Sequence, residues 1–186
     1  MNWHYSKSMP AGKLVKIGVW ENEVFVGVAI FSLGSSKDLG AAYGLKSGEI
    51  CELTRMALSK HSTPVSKVMS IAVRMLRKQS PGIRLIVSFA ARDQEHLGTI
   101  YQASNWLYFG QTNPRYEFIY KGRRTTERTI SEVVKKYRMT KKELAEKGYI
   151  KLVPSKPKFR YLMPMDKKTK ARLLPMAKSY PTKKDV

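Results

Sequence analysis

The run EICELTRMALSKHSTPVSKVMSIAVRMLRKQSPGIRLIVSFA, residues 49–90, decides the fold class. Its first ten residues, Glu49 to Leu58, have strand character. Thr63-Pro64 then opens a helix, with Thr63 suited to the N-cap and Pro64 to the first helical position. Val65, Val68, Met69, Ala72, Met75 and Leu76 follow at helical spacing, and Pro81-Gly82 closes the helix. Ile83 to Ala90 is a nearly continuous apolar strand, the pattern of one buried on both faces of a sheet.

Upstream, Leu14 to Trp20 and Val24 to Phe31 are β-rich runs around Glu21-Asn22-Glu23, a hairpin signal. Ser32 to Gly48, with Gly40-Ala41-Ala42-Tyr43-Gly44 inside it, reads as a mobile loop. Downstream, a second amphipathic helix covers about Gly98 to Trp106, and Glu117 to Tyr120 is another strand. An antiparallel meander followed by alternating helices and strands predicts an α/β fold with a mixed sheet.

The C-terminal part shows two more helix starts. Thr129 with Glu132, and Thr140 with Glu143, both fit the capping box, in which Thr and Glu reciprocally satisfy free amides. The first helix would bury Ile130, Val133, Val134 and Tyr137; the second ends at Gly148. Tyr149 to Val153 and Phe159 to Met163 then read as a hairpin around Pro154 to Pro157. Helix, helix and hairpin together resemble a small winged unit.

The 186 residues carry 35 Lys plus Arg against 14 Asp plus Glu, a net charge of +21. Such an excess repels itself in a compact state, so a polyanionic partner is the first expectation. Residues 1–123 hold a net +8 and residues 124–186 a net +13. The expected division is therefore a body over 1–123 and a basic extension over 124–186, packed on the body because no Gly/Ser linker separates them. An apolar share of 42% excludes a wholly disordered chain, and a single cysteine, Cys51, excludes an internal disulfide. Cys51 lies in an apolar run where a small buried side chain is expected. No apolar stretch reaches the roughly 20 residues of a membrane span, and the start lacks a signal peptide's apolar region, so a soluble intracellular protein is expected.

Two stretches concentrate chemistry. Lys60 to Lys67 surrounds the helix start with two cations, His61 and the hydroxyls of Ser62, Thr63 and Ser66. Unpaired amides and the helix dipole favour an anion there, so His61, Ser62, Thr63, Ser66 and Lys67 are the expected cofactor contacts. The glycine-rich loop that wraps a pyrophosphate is missing. The second stretch is Ser88 to His96, just after the central strand, where α/β sheets place ligands. Asp93, Glu95 and His96 there are competent in proton transfer or metal ligation. An iron site from His61 or His96 with Asp93 or Glu52 is conceivable, although nothing in the spacing shows it. No paired His/Cys spacing supports a structural zinc. No serine on a glycine elbow supports a Ser-His-Asp hydrolase. For nucleic acid, the expected contacts are Arg123, Arg124, Lys141, Lys142, Lys158, Arg160, Tyr161, Lys167, Lys168, Lys170 and Arg172, cations for phosphates and a ring for exposed bases.

Several segments carry a resemblance: Cys51 to Arg55, His61 to Ser66, Val87 to Ala90, Asp93 to His96, Ile100 to Ala103 and Phe159 to Leu162. With the layout of meander, Thr63-Pro64 helix, central strand and the Gly98-to-Gly110 segment, they resemble the GNAT acetyltransferase fold and, more closely, the phage Mom DNA-modification family. The resemblance spans about His4 to Pro181; each motif is weak alone, and their order is specific. It implies a GNAT-like mixed sheet flanked by helices with a basic helical and hairpin extension. The implied activity converts adenine in phage DNA to N6-(carbamoylmethyl)adenine and protects the genome from restriction, in the cytoplasm of the infected bacterial host. By the same resemblance, Arg55, Ser66, Asp93 and Tyr101 match the active site, and His61, Ser88 and His96 are weaker matches. Asp93 is implied as base or hydrogen-bond partner of the adenine amine, Tyr101 as acid to a leaving group, and Arg55 with Ser66 as anion or carbonyl holders. Double-stranded DNA is the implied substrate. The donor stays open among acetyl-CoA, an iron-assisted reaction on an acetyl donor, and an aminoacyl-tRNA, which would make tRNA a second partner. Tyr43, Trp106 and Tyr108 are candidates for a base pocket, with core packing favoured for Trp106. The competing functions are an acetyl-CoA-dependent N-acetyltransferase acting on a small molecule or protein, and a non-catalytic nucleic-acid-binding protein.

Overall fold

The computed structural model describes residues 13–32, 39–92, 97–125 and 127–185. Strands β1 (Leu14–Glu21) and β2 (Val24–Ser32) form the expected hairpin, turning on Asn22 and Glu23, both with positive φ. A two-residue turn of this kind matches the right-handed twist of the strands it joins. Strand β3 (Ile50–Leu58) pairs antiparallel with β2 and leads into helix α1 (Val65–Gln79). The chain returns as β4 (Leu85–Ala90), parallel to β3, so α1 is the crossover of a βαβ unit. Helix α2 (Thr99–Gln102) and β5 (Leu107–Gln111) follow.

Strands β6 (Arg115–Tyr120) and β7 (Arg123–Thr125) precede α3 (Glu127–Tyr137), α4 (Lys141–Glu146) and β8 (Ile150–Ser155). Strand β9 (Phe159–Pro164) and α5 (Lys167–Leu173) complete the regular structure. The main sheet has six strands in the order β1-β2-β3-β4-β9-β5, and a smaller sheet has the order β7-β6-β8. The molecule is thus mixed α/β with a mostly sheet core.

Both faces of the main sheet are covered. On one face, Met69, Ala72, Val73 and Leu76 of α1 pack with Cys51, Leu53, Ile86, Phe159 and Tyr161. On the other, Leu173 of α5 joins Tyr43, Leu45, Ile50, Leu85, Val87 and Leu162. Leu85, Ile86 and Val87 are fully buried, which is why β4 reads as an unbroken apolar run. Each fully buried side chain of this size contributes about 1.5–3 kcal/mol of transfer free energy. Cys51 is buried as expected, and its burial pushes the thiol up to about 12. A third core, Phe118, Ile130, Val133, Leu144 and Ile150, joins the small sheet to α3 and α4.

Several expectations are corrected. The predicted hairpin at 149–163 does not form, and with it goes the winged unit. β8 pairs with β6, Tyr120 opposite Ile150 and Arg115 opposite Ser155, whereas β9 inserts between β4 and β5. The burial explains the parting: Phe159, Tyr161 and Leu162 have no exposure and require an interior strand, while β8 buries only Ile150 and suits an edge. Thr129 lies inside α3, which begins at Glu127, so it is not the cap of that helix, whereas the capping box at Thr140 with Glu143 forms as expected. Pro64, not Thr63, occupies the N-cap of α1, with an extended backbone.

Helix α2 is shorter than the predicted 98–106. Asn105, in the left-handed conformation, ends it with bonds from its own amide to Gln102 O and from Trp106 N–H to Tyr101 O, the Schellman pattern. The part of the predicted mobile loop that lies within the described residues is folded. Residues 41–43 make a turn of 3-10 helix, and Tyr43 and Leu45 are buried. Among the described residues no helix is long and apolar enough to cross a membrane.

Candidate active site

The parallel ladder between β3 and β4 has three register pairs, Ile50–Leu85, Cys51–Ile86 and Glu52–Val87. Pairing stops there, although β3 runs on to Leu58 and β4 to Ala90. The gap opens toward the C-terminal ends of both strands, the place where α/β sheets bind ligands. A bulge in β3 accompanies it. Leu53 faces Phe31 and Arg55 faces Ile30, which leaves Thr54 extra, and its hydroxyl donates to Ile30 O at 3.0 Å.

At the base of the gap, Leu53 O lacks a backbone partner from β4 and takes a side chain instead. Ser88 Oγ lies 2.8 Å from Leu53 O and 2.7 Å from Tyr101 Oη. A carbonyl only accepts, so Ser88 donates its single proton to Leu53 and accepts from Tyr101. The phenolic proton of Tyr101 is therefore directed inward at Ser88. Tyr101 is buried, stacked on Tyr161 at 5.0 Å and tilted against Trp106 at 5.1 Å between ring centroids. Tyr161 in turn donates to Leu97 O and accepts from Gln102 Nε2 at 3.2 Å. Burial pushes its phenol up to about 12. Gly98, at positive φ, makes this possible: a Cβ there would come within 2.4 Å of the Tyr161 ring.

The start of α1 follows β3 in the chain, and the structure places a carboxylate just ahead of it. Glu21, at the hairpin turn, accepts from the amides of Ser62 and Thr63 at 2.8 Å each and from Ser62 Oγ at 2.9 Å. The Ser62 amide first, then the Thr63 hydroxyl and amide, hold the Glu21 carboxyl down to about 2. Two amides just ahead of the Pro64 N-cap are thus taken from within the chain, whereas the first helical amides begin at Val65. Asp166, the N-cap of α5, behaves similarly. Burial raises it, but the Thr169 amide and hydroxyl and the Arg84 guanidinium outweigh that and hold it at about 2.

Both carboxyls have depressed values, so the stability they confer is complete above the ordinary carboxyl range and is lost as pH falls toward about 2. In urea titrations the midpoint is expected to fall between pH 4 and pH 2. Glu21→Gln and Asp166→Asn together should flatten that fall. A pH response identical in the double variant would show that these two groups do not carry it.

The sequence-predicted residues distribute unevenly. Tyr101 and Ser88 meet at the gap. Arg55 is half-buried on β3 beyond the bulge, and Ser66 is half-buried in the first turn of α1. His61 places Nδ1 2.9 Å from Thr63 O, so Nδ1 carries the proton. Lys67 is exposed. Asp93, Glu95 and His96 lie outside the described residues. Among the described residues no three His, Cys, Asp or Glu side chains converge.

Of the expected nucleic-acid contacts, Arg123, Arg124, Lys141, Lys142, Lys158, Lys167, Lys168, Lys170 and Arg172 are exposed. Arg124 pairs with Glu117 at 3.1 Å, Lys142 with Glu146 at 3.8 Å, and Lys141 with Glu127. Arg172 donates to Tyr43 O. Arg160 is half-buried and donates to Tyr43 Oη at 3.1 Å. Tyr161 is corrected: it has no exposure, and its ring packs on Tyr101 and Tyr108 rather than facing a base. The base-pocket candidates Tyr43, Trp106 and Tyr108 are likewise buried, and core packing holds for Trp106.

Glu21, Gln102, Arg92 and Gln111 were assigned no role from the sequence. Their partners lie across strands or far along the chain, and no local spacing announces them. No curated protein matches the chain. A family model, that of the Mom protein family, matches residues 1–182, and the chain therefore belongs to the Mom protein family.

Proposed function

We propose that this protein is a DNA-modifying transferase of GNAT-like architecture that converts adenine in phage DNA to N6-(carbamoylmethyl)adenine, shielding it from host restriction. The observation that carries the reading is the gap between β3 and β4, closed at its base by the Ser88–Tyr101 pair, in a chain of this family and of net charge +21. The order of meander, α1, β4, α2 and β5 is the layout on which the GNAT resemblance rests.

In this reading the adenine leaves the base stack, because its amine is unreachable within a duplex. The amine nitrogen forms a bond to the incoming carbon and releases one proton, for which Asp93 is the proposed acceptor, with His96 beside it in the chain. Tyr101 supplies a proton to the departing group. Its proton first turns away from Ser88, and the Ser88 hydroxyl then turns from Leu53 O to steady the phenolate. Arg55 and Ser66 hold the carbonyl or an anionic part of the donor.

Because Glu21 occupies the Ser62 and Thr63 amides, the donor is proposed to lie against Ser66, Lys67 and the other ring nitrogen of His61, Nε2. The basic residues of 124–186 are the proposed means of holding the DNA backbone.

The test is direct. Cells expressing the protein are expected to yield, after complete digestion of their DNA, a deoxyadenosine carrying a carbamoylmethyl group, detected by mass spectrometry. An unchanged nucleoside profile with folded protein would sink the reading. Growth on labelled glycine or labelled acetate then identifies the origin of the added carbons.

A further inference from the structure

The same end of the main sheet carries a second cluster, built where β4 ends, β9 begins and β5 ends. Gln111 sits at its centre. Arg92 donates from Nη1 to Gln111 Oε1 at 3.2 Å, and Arg160 donates from Nη2 to Gln111 O at 3.3 Å. Arg92 also lies over the Phe159 ring, 5.4 Å from its centroid, which holds the guanidinium at the sheet edge. Lys158 is tied in by its backbone: its amide donates to Thr112 Oγ1 at 3.0 Å and its carbonyl accepts from Thr112 N at 2.9 Å. Lys178 completes the group. Its backbone amide donates to Tyr108 O at 2.9 Å, and its Nζ lies 3.3 Å from where a Cβ of Gly110 would be.

Donors outnumber acceptors here. The Nε–H groups of both Arg92 and Arg160 are buried without a partner among the described residues. Neither guanidinium makes an ion pair among the described residues, in contrast with Arg84, which has Glu49 and Asp166. Asp185 feels Arg92, but its carboxylate already accepts from Thr182 N and Oγ1 at 2.7 and 3.0 Å. Two guanidiniums share Gln111, and Lys158 and Lys178 leave the backbone close by. With Asp185 the one carboxylate felt by Arg92 among the described residues, positive charge is in excess and an added anion is favoured. Two guanidinium planes and two ammonium groups fit the oxygens of a phosphodiester.

We infer that Arg92, Lys158, Arg160 and Lys178 form a phosphate clamp for the DNA backbone, beside the gap and fed from both the body and the C-terminal residues. This rests on the reading of DNA as substrate. The clamp fixes the strand near the gap, which is a positioning role distinct from the chemistry at Tyr101.

The experiment measures binding of a short fluorescein-labelled duplex by anisotropy over a series of salt concentrations. Each phosphate contact contributes roughly 0.9 to the slope of log affinity against log salt. R92Q and R160Q together are expected to lower that slope by about two, and R92K with R160K to restore it. K158Q with K178Q, both exposed side chains with little packing to lose, should lower it by about two as well, which keeps the test valid if the arginine variants fold poorly. An unchanged slope in both pairs overturns the clamp. Loss of inorganic pyrophosphate binding with the DNA slope intact also overturns it, and assigns the cluster to a donor's phosphates instead. Binding is read without turnover, so a wild-type protein that yields no modified nucleoside defeats the proposed activity and leaves the slope to judge the clamp.

Discussion

Tyr101→Phe is expected to reduce the modified nucleoside by about a hundredfold or more, the scale on which a positioned acid acts. The fold should barely respond. Phenylalanine keeps the stack on Tyr161 and the contact with Trp106, and the hydroxyl's bond to Ser88 is worth about 1 kcal/mol net. Ser88→Ala is the informative companion. It leaves the buried Leu53 carbonyl without its donor, at a cost of about 1–3 kcal/mol, yet spares the Tyr101 proton. Its product yield is therefore expected to exceed that of Tyr101→Phe while its melting temperature is lower. Mass spectrometry of digested DNA, beside a thermal melt, separates the two effects. Full modification by Tyr101→Phe would remove the acid role.

Trp106→Ala should be among the most destabilising single changes. The ring has no exposure and packs against Tyr101, so its removal opens a cavity at a cost of about 3–5 kcal/mol. For a domain of this length that corresponds to a fall in Tm on the order of 10 °C. Trp106→Phe is expected to cost much less. It retains most of the apolar volume and removes the indole Nε1–H, a buried donor with no acceptor among the described residues. Calorimetry on the two variants checks the order. Equal, small losses would mean that the ring is not part of the core beneath the gap.

The βαβ unit over residues 49–90 was legible because its information is local. A helix-period apolar face, a Pro-Gly stop and an unbroken apolar strand each declare themselves within a few residues. The hairpin at Asn22–Glu23 and the capping box at Thr140 were legible for the same reason. Thr129 shows the limit of such signals, since the same residue pattern lies inside α3 once Ile130 and Val133 are drawn under the small sheet. Strand partners were less accessible. β8 and β9 are neighbours in the chain and look like a hairpin, yet their partners are β6 on one side and β4 with β5 on the other. Burial on both faces of β9 decides that, and burial is a property of the assembled sheet.

The candidate site divides along the same line. Tyr101 and the stretches around it were picked out as residues, but the single proton that orders Leu53, Ser88 and Tyr101 exists only where the β3–β4 ladder ends. The stretch before α1 was read as open to an anion, and Glu21, far earlier in the chain, takes the Ser62 and Thr63 amides of it. The charge of +21 and its skew toward the C-terminus follow from composition alone, since formal charge needs no fold. Which of those cations stand together does need one. Arg92 and Arg160 meet at Gln111, with Lys158 and Lys178 beside the neighbouring residues Thr112 and Gly110, only because β4 and β5 end where β9 begins, and long-range pairing, not local spacing, sets that meeting.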